Sequence, residues 1–176
     1  VKRPGLEVRS RKGFLPPDTR AIERAREAEV KAGTSPALTA ALGKPVPVGD
    51  LPLRVFAAPL RGVGNKGSVV VALEIDGRSL KFEERNGRFV ESIEVSIVAA
   101  DERARVQGGD SQTFNLNLEP ETHERVTRTG VRLLSQLDLP PGRYQIRVGA
   151  EETTGRAIGT VPYDVVVPDY AKTPFA

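Results

Sequence analysis

Gly62-Val63-Gly64-Asn65-Lys66-Gly67 has the spacing G-x-G-x-x-G, in which glycines let backbone amides approach a pyrophosphate. That chemistry needs a strand before the motif and a helix after it, so that the helix N-terminus meets the phosphates. Here Ser68-Val69-Val70-Val71-Ala72-Leu73 follows, which is a strand pattern, so the motif reads as an interstrand loop. His123 is the single histidine, and the chain has no cysteine. A zinc centre would therefore draw nearly all its ligands from carboxylates. Glu119, Glu121, His123 and Glu124, clustered around Pro120, read as a polar surface loop, with a weak cation site as the sharper alternative. No nucleophile elbow accompanies the histidine, so a Ser-His-Asp arrangement is not indicated.

The acidic pairs Glu83-Glu84, Asp101-Glu102 and Glu151-Glu152 invite a glycosidase reading. Neighbours on a strand point to opposite faces, however, so neither member of a pair converges on the other's substrate. All three pairs fall near predicted turns and are expected to be solvated. Gly108-Gly109-Asp110 has the start of a calcium loop without the further carboxylates, and is expected to be a turn. No catalytic, cofactor-binding or metal-ligating residue is assigned.

The elements that must carry these residues follow from hydrophobic period. Leu139-Pro140-Pro141-Gly142-Arg143-Tyr144-Gln145-Ile146-Arg147-Val148 is a Pro-Gly turn launching an alternating strand. Tyr144, Ile146 and Val148 share one face, and a Tyr at such an entry forms the corner of an immunoglobulin-like sandwich, its hydroxyl bonded to nearby backbone. From about Leu51 onward the period is two. Strands are expected around Leu51–Ala57, Val69–Ile75, Ile93–Ala99, Phe114–Leu118, Val131–Leu137, Tyr144–Ala150 and Tyr163–Val167, with small extras near Leu80-Phe82 and Ala104-Val106. Asp76-Gly77 and Asn86-Gly87 are hairpin signals. Pro162 puts part of the last strand at an edge or bulge. Tyr144, Tyr163 and Phe114 read as core. Phe56 falls on an outward phase, where it can pack against helices of residues 18–42.

Before the strands the pattern is different. Leu6 and Val8 share a face of a short strand within residues 1–14. Asp18 caps a helix running to about Ala32. Ser35 as cap, Pro36 at the first position and Gly43 past the end define a second short helix. Lys44-Pro45-Val46-Pro47-Val48-Gly49 is a stiff linker. The expected organisation is a terminal strand or exit segment at 1–14, a helical linker at 15–48 and a β-sandwich at 49–176. The fold class is mainly β, an immunoglobulin/fibronectin type III-like sandwich preceded by a two-helix segment.

Hydrophobic residues make up 39% of the 176 and charged residues 28%, which suits a folded domain, and no apolar run reaches the length needed to span a bilayer. The net charge of +3 divides unevenly: residues 1–48 hold ten Lys/Arg and five Asp/Glu. Acids interleave with those bases and no aromatic is spaced among them to stack on bases, so nucleic acid is not an expected partner. The absence of Cys suits an exported bacterial protein. The chain opens on Val1 and contains no Met, which points to a piece of a longer protein with any export signal upstream.

Val1-Lys2-Arg3-Pro4-Gly5-Leu6-Glu7-Val8-Arg9-Ser10-Arg11-Lys12-Gly13-Phe14 resembles the exit from the von Willebrand factor A domain in bacterial VWFA-related secreted proteins. Leu139–Val148 and the terminal Val165-Val166-Val167-Pro168-Asp169-Tyr170 resemble that group's C-terminal all-β region. The A domain's metal site uses an Asp-x-Ser-x-Ser motif, which does not occur here, so no ligand is carried over. The resemblance implies a non-catalytic accessory or protein-interaction module without a cofactor, outside the cytoplasm, whose partners are an upstream A domain in the same polypeptide and possible envelope proteins. Contacts are expected on loops such as 60–67, 100–111 and 119–125. A carbohydrate-binding sandwich and a purely structural spacer are the alternatives.

Overall fold

In the computed structural model, which describes residues 34–172, the chain runs α1 (Pro36–Leu42), β1 (Leu53–Arg61), β2 (Gly67–Ile75), β3 (Glu83–Arg85), β4 (Arg88–Asp101), β5 (Val106–Leu118), α2 (Pro120–Thr129), β6 (Val131–Leu139), β7 (Gly142–Glu152) and β8 (Ile158–Val167). All strand pairings are antiparallel. β1, β2 and β6 form a three-stranded sheet. In the second sheet β4 is flanked by β5 on one edge and by β7 and then β8 on the other. The short β3 pairs with the first residues of β4, at Arg88–Val90, while β7 takes over from Ile93.

The two sheets face each other across an aliphatic core. β2 contributes Val69, Val71, Leu73 and Ile75, β4 contributes Ile93, Val95, Ile97 and Ala99, and β7 contributes Tyr144, Ile146, Val148 and Ala150, all buried. Each large side chain of this set stabilises the fold by about 1.5–3 kcal/mol relative to its exposed state. Phe114 and Tyr163 are partly buried at the margin of this core. The mainly β, two-sheet reading of the sequence therefore holds, as does the helix predicted from Ser35, Pro36 and Gly43, which is α1. The strand expected in residues 1–14 and the helix expected from Asp18 lie outside the described residues.

Local chemistry explains where the expected boundaries move. Asn86-Gly87 does join β3 to β4 as a two-residue hairpin, with φ of 52° and 73°, the left-handed pair that matches strand twist. Asp76-Gly77 does not form a hairpin. The Asp76 carboxylate instead accepts from the Arg78 amide at 3.0 Å and caps a single 3-10 turn, from which the chain crosses to the other sheet. Residues 120–125, expected in a loop, are instead the first half of α2, with Glu119 as its N-cap. Pro120 presets the first helical φ and the His123 amide already bonds the Glu119 carbonyl at 2.8 Å, although the segment has almost no apolar periodicity to announce a helix. Gly108-Gly109-Asp110 is not a turn. It lies within β5, opposite Ala99, Val98 and Ile97, because the β4–β5 reversal is completed earlier by Asp101. The small extra strand is at Glu83–Arg85, after Leu80-Phe82, and Val106 is the first residue of β5.

Asp101 organises that reversal. Its carboxylate accepts from the amides of Arg103 and Arg105, at 2.9 and 3.0 Å, and from Arg105 Nε and Gln107 Nε2, each at 2.9 Å. Burial pushes its pKa up, but these bonds outweigh it and hold the group down at about 2. Directly across on β7, Tyr144 donates its hydroxyl to the Pro140 carbonyl at 2.8 Å, the corner expected from the sequence. Burial, and then the charge of Asp101, raise the phenol's pKa.

Tyr144→Phe should lower stability by about 1 kcal/mol, since it orphans the Pro140 carbonyl, measured by urea denaturation with an unchanged slope. Asp101→Asn should be less stable at neutral pH. Because the folded carboxyl titrates below its ordinary value of 3.8, its contribution is full above that value and fades as pH falls to about 2. Melting curves of the two proteins should therefore converge over that acid range.

Candidate functional site

The inward phase of β1, β2 and β6 sends alternate residues to the outer face of the three-stranded sheet. Register then sets them in rows. Phe56, Ala72 and Leu134 lie side by side across the three strands, with Ala58, Val70 and Gln136 in the next row and Leu60, Ser68 and Asp138 beyond. Phe56 is 62% exposed, Leu134 65% and Leu60 53%. An outer sheet face in water ordinarily carries polar side chains. Here a band of apolar ones occupies its middle, and exposed Val63 extends it into the β1–β2 loop. The Phe56 ring meets Tyr163 edge-on at 6.4 Å; residues 18–33, part of the helical segment expected against it, lie outside the described residues. At the opposite end of the face the row Arg54, Glu74, Arg132 restores charge, with Arg132 hydrogen-bonded to Glu74.

The outer face of the other sheet is covered instead. Leu38 and Leu42 of α1 lie on Gly149, where a Cβ would stand 2.8 and 2.9 Å from their methyl carbons. At the N-terminus of α1, the Ser35 amide donates to Glu94 at 2.5 Å and the Ser35 hydroxyl donates to Glu151, while Ser35 Oγ accepts from the Leu38 amide at 3.0 Å. Glu94 and Glu151 are cross-strand neighbours on β4 and β7. At the C-terminus, Arg147 Nη1 donates to the carbonyls of Leu42 and Lys44 at 2.7 and 3.0 Å. Anions at the positive end of a helix and a cation at its negative end are both favourable. Seven residues do not hold a helix in isolation, so α1 exists by this docking.

Glu151 and Glu152 are thus not solvated turn residues. Glu151 is buried beneath α1, with Arg156 3.5 Å away. Glu152 continues the inward phase of Ile146, Val148 and Ala150 and is fully buried, accepting from the amides of Lys81 and Ala157 at 3.3 and 3.4 Å. Buried Glu91 accepts from the amides of Thr153 and Thr154 at 2.6 and 3.3 Å. The β7–β8 turn has backbone donors that require acceptors inside the protein, and these carboxylates supply them. Glu83 and Glu84 are exposed on β3, and Glu102 is exposed in the β4–β5 turn. None of the three pairs converges on a cleft.

His123 sits on α2 with its ring stacked on Phe89 at 3.9 Å and edge-on to Phe82 at 4.8 Å. Among the described residues no group of three or more His, Asp or Glu is placed to hold a metal. Gly62–Gly67 is the β1–β2 connection, closed by the Gly62 amide on the Lys66 carbonyl at 3.1 Å. Sequence reasoning placed Phe56 outward but missed Leu134 beside it. The signal was the dipeptide Leu133-Leu134, one of which must face out on a strand.

No family model matches the chain, and no curated protein matches it. Solved structures similar to it include a Bacteroides fragilis protein assigned as a beta-galactosidase, at a TM-score of 0.46 and 14% identity over 64% of this chain. Another is a glycosyl hydrolase family 2 member from Bacteroides cellulosilyticus, at a TM-score of 0.46 and 10% identity over 68% of this chain. In each case the match spans 16% of the other chain.

Gly149→Val should force α1 off its seat. The expected result is a loss of about 1–3 kcal/mol, with hydrogen-exchange protection of amides 39–43 lost while those of β2 and β4 keep theirs.

Proposed function

We propose that this β-sandwich is a non-catalytic protein-interaction module of a bacterial VWFA-related protein, working outside the cytoplasm and joined through its N-terminal segment to an A domain. The observation that carries the interaction reading is the row Phe56, Ala72 and Leu134, with Leu60 nearby, which no described residue covers on the outer face of the sheet. Exposed apolar patches of this kind mark protein contacts. The non-catalytic reading is supported by the use of the buried carboxylates, which bind backbone amides and α1. Strand order β1-β2-β6 against β5-β4-β7-β8, with a tyrosine corner opening β7, supports an immunoglobulin/fibronectin type III-like sandwich. The A-domain context is supported by the resemblance of residues 1–14 and 139–148.

Phe56→Asp with Leu60→Asp should cost about 1–2 kcal/mol, through the lost Phe56–Tyr163 ring contact and the poor fit of Asp to a strand, while leaving the chain folded by circular dichroism. In the full polypeptide carrying a photo-crosslinking residue at position 134, the Phe56→Asp, Leu60→Asp variant should lose the partner that crosslinks there in the native envelope. Unchanged crosslinking would refute the interaction surface.

A further inference from the structure

Beyond the Arg54–Glu74–Arg132 row, the apolar face opens into a groove of about 510 Å³. Its walls are the segment before β1, the end of β2 with the Asp76 turn, and the last turn of α2. That volume is in the range of sites that enclose small ligands or short peptide stretches, roughly 300–1,000 Å³.

The charge of the groove is unbalanced. Arg54, Arg78 and Arg128 line it together with Glu74 and Asp76. Both carboxylates are already engaged. Glu74 is held by Arg132, and Asp76 by Arg78 through Nη2 at 2.8 Å and Nε at 3.1 Å. The Arg78 side-chain bond, with the Arg78 amide, keeps the Asp76 carboxyl low, at about 2. Arg54 and Arg128 make no hydrogen bond or close ion pair with any described residue, although the charge of Arg54 adds a small share to the lowering of Asp76, and both are exposed. Two guanidinium groups are therefore available at one concave site. A guanidinium is planar and matches a carboxylate with two parallel hydrogen bonds.

The rest of the lining narrows the ligand. Its accessible apolar wall is Val48, Leu53 and Val161, with Pro47 and Pro52 at the rim, and no Phe, Tyr or His lines the groove. A sugar ring seats best on a flat aromatic face, whereas aliphatic walls suit aliphatic side chains. We propose that this groove binds an acidic peptide segment of a protein partner, with Asp or Glu carboxylates on Arg54 and Arg128 and a neighbouring aliphatic side chain against Val48, Leu53 and Val161. The assignment rests on the interaction-module reading and specifies the partner's chemistry at a second contact beside Phe56 and Leu134.

The test is a titration of the isotope-labelled chain with the blocked peptide acetyl-Leu-Glu-Glu-Leu-Glu-amide, its all-Gln analogue and oligogalacturonate, read by amide chemical shifts. The acidic peptide should move amides of residues 51–54, 76–78 and 128–130. Its affinity should fall about tenfold in the Gln analogue, and about tenfold in Arg54→Gln and in Arg128→Gln, each with an unchanged melting temperature. Equal binding of the Gln analogue, no effect of either Arg variant, or no shift at millimolar peptide overturns the proposal. Groove binding of oligogalacturonate without the peptide also overturns it, in favour of an acidic polysaccharide. Shifts confined to the Phe56 and Leu134 row overturn the groove assignment while leaving the module reading intact. That reading fails separately, through unchanged crosslinking at position 134.

Discussion

β4 is hydrogen-bonded along both edges and covered on both faces, and that constraint organises the molecule. Its 14 residues pair with β5 on one side and with β3 and β7 on the other. A strand of period two must divide its side chains between two environments. Ile93, Val95, Ile97 and Ala99 enter the core, while Glu94 and Ser96 face the layer that α1 completes. A one-residue slip would place a carboxylate against Leu73 and Val148, so the register is strongly specified. The positions of β7, of the Asp101 reversal and of the acidic seat for α1 all follow from it.

The two outer faces answer different demands. On the five-stranded sheet a polar and charged seat is matched to a helix with opposite partial charges at its ends, and the small residue Gly149 lets that helix sink onto the sheet. On the three-stranded sheet the apolar row has no such cover among the described residues. Its flanks are ionic, with Glu74 and Arg132 at one end and Asp138 at the other. An apolar centre with a charged rim is the usual anatomy of a protein contact.

Strand content was legible because period two with β-branched residues is a strong signal in Val69–Ile75 and Ile93–Ala99. Tyr144 was legible because a Pro-Gly turn before a Tyr-initiated alternation implies the corner bond, and α1 because Ser35, Pro36 and Gly43 punctuate it. Three features were hidden for physical reasons. α2 lacks an apolar stripe, since it spans between sheets and owes its start to Pro120. Glu151 and Glu152 read as solvated because charge alone suggests exposure, whereas Glu151 is buried by the docking of Ser35 and α1, and Glu152 by amides of Lys81 and Ala157 that need an acceptor. Gly108 and Gly109 read as a turn because glycine marks turns, yet here they belong to a long strand beside a register shift at Ala99 and Ala100. The apolar row was half legible, because Phe56 is visible in sequence while its neighbour Leu134 depends on cross-strand register.

The docking of α1 has a mechanical consequence. α1 precedes β1 in the chain, and both of its ends are tied to β4 and β7 rather than to its successor. Tension applied at Thr34 is borne by those ties, together with the Thr34–Ser111 hydroxyl bond to β5. The load is shared among several bonds and spread into the middle of the five-stranded sheet, instead of peeling β1 from an edge one residue at a time. The seven-residue helix serves as a strain relief at the point where the chain enters the sandwich.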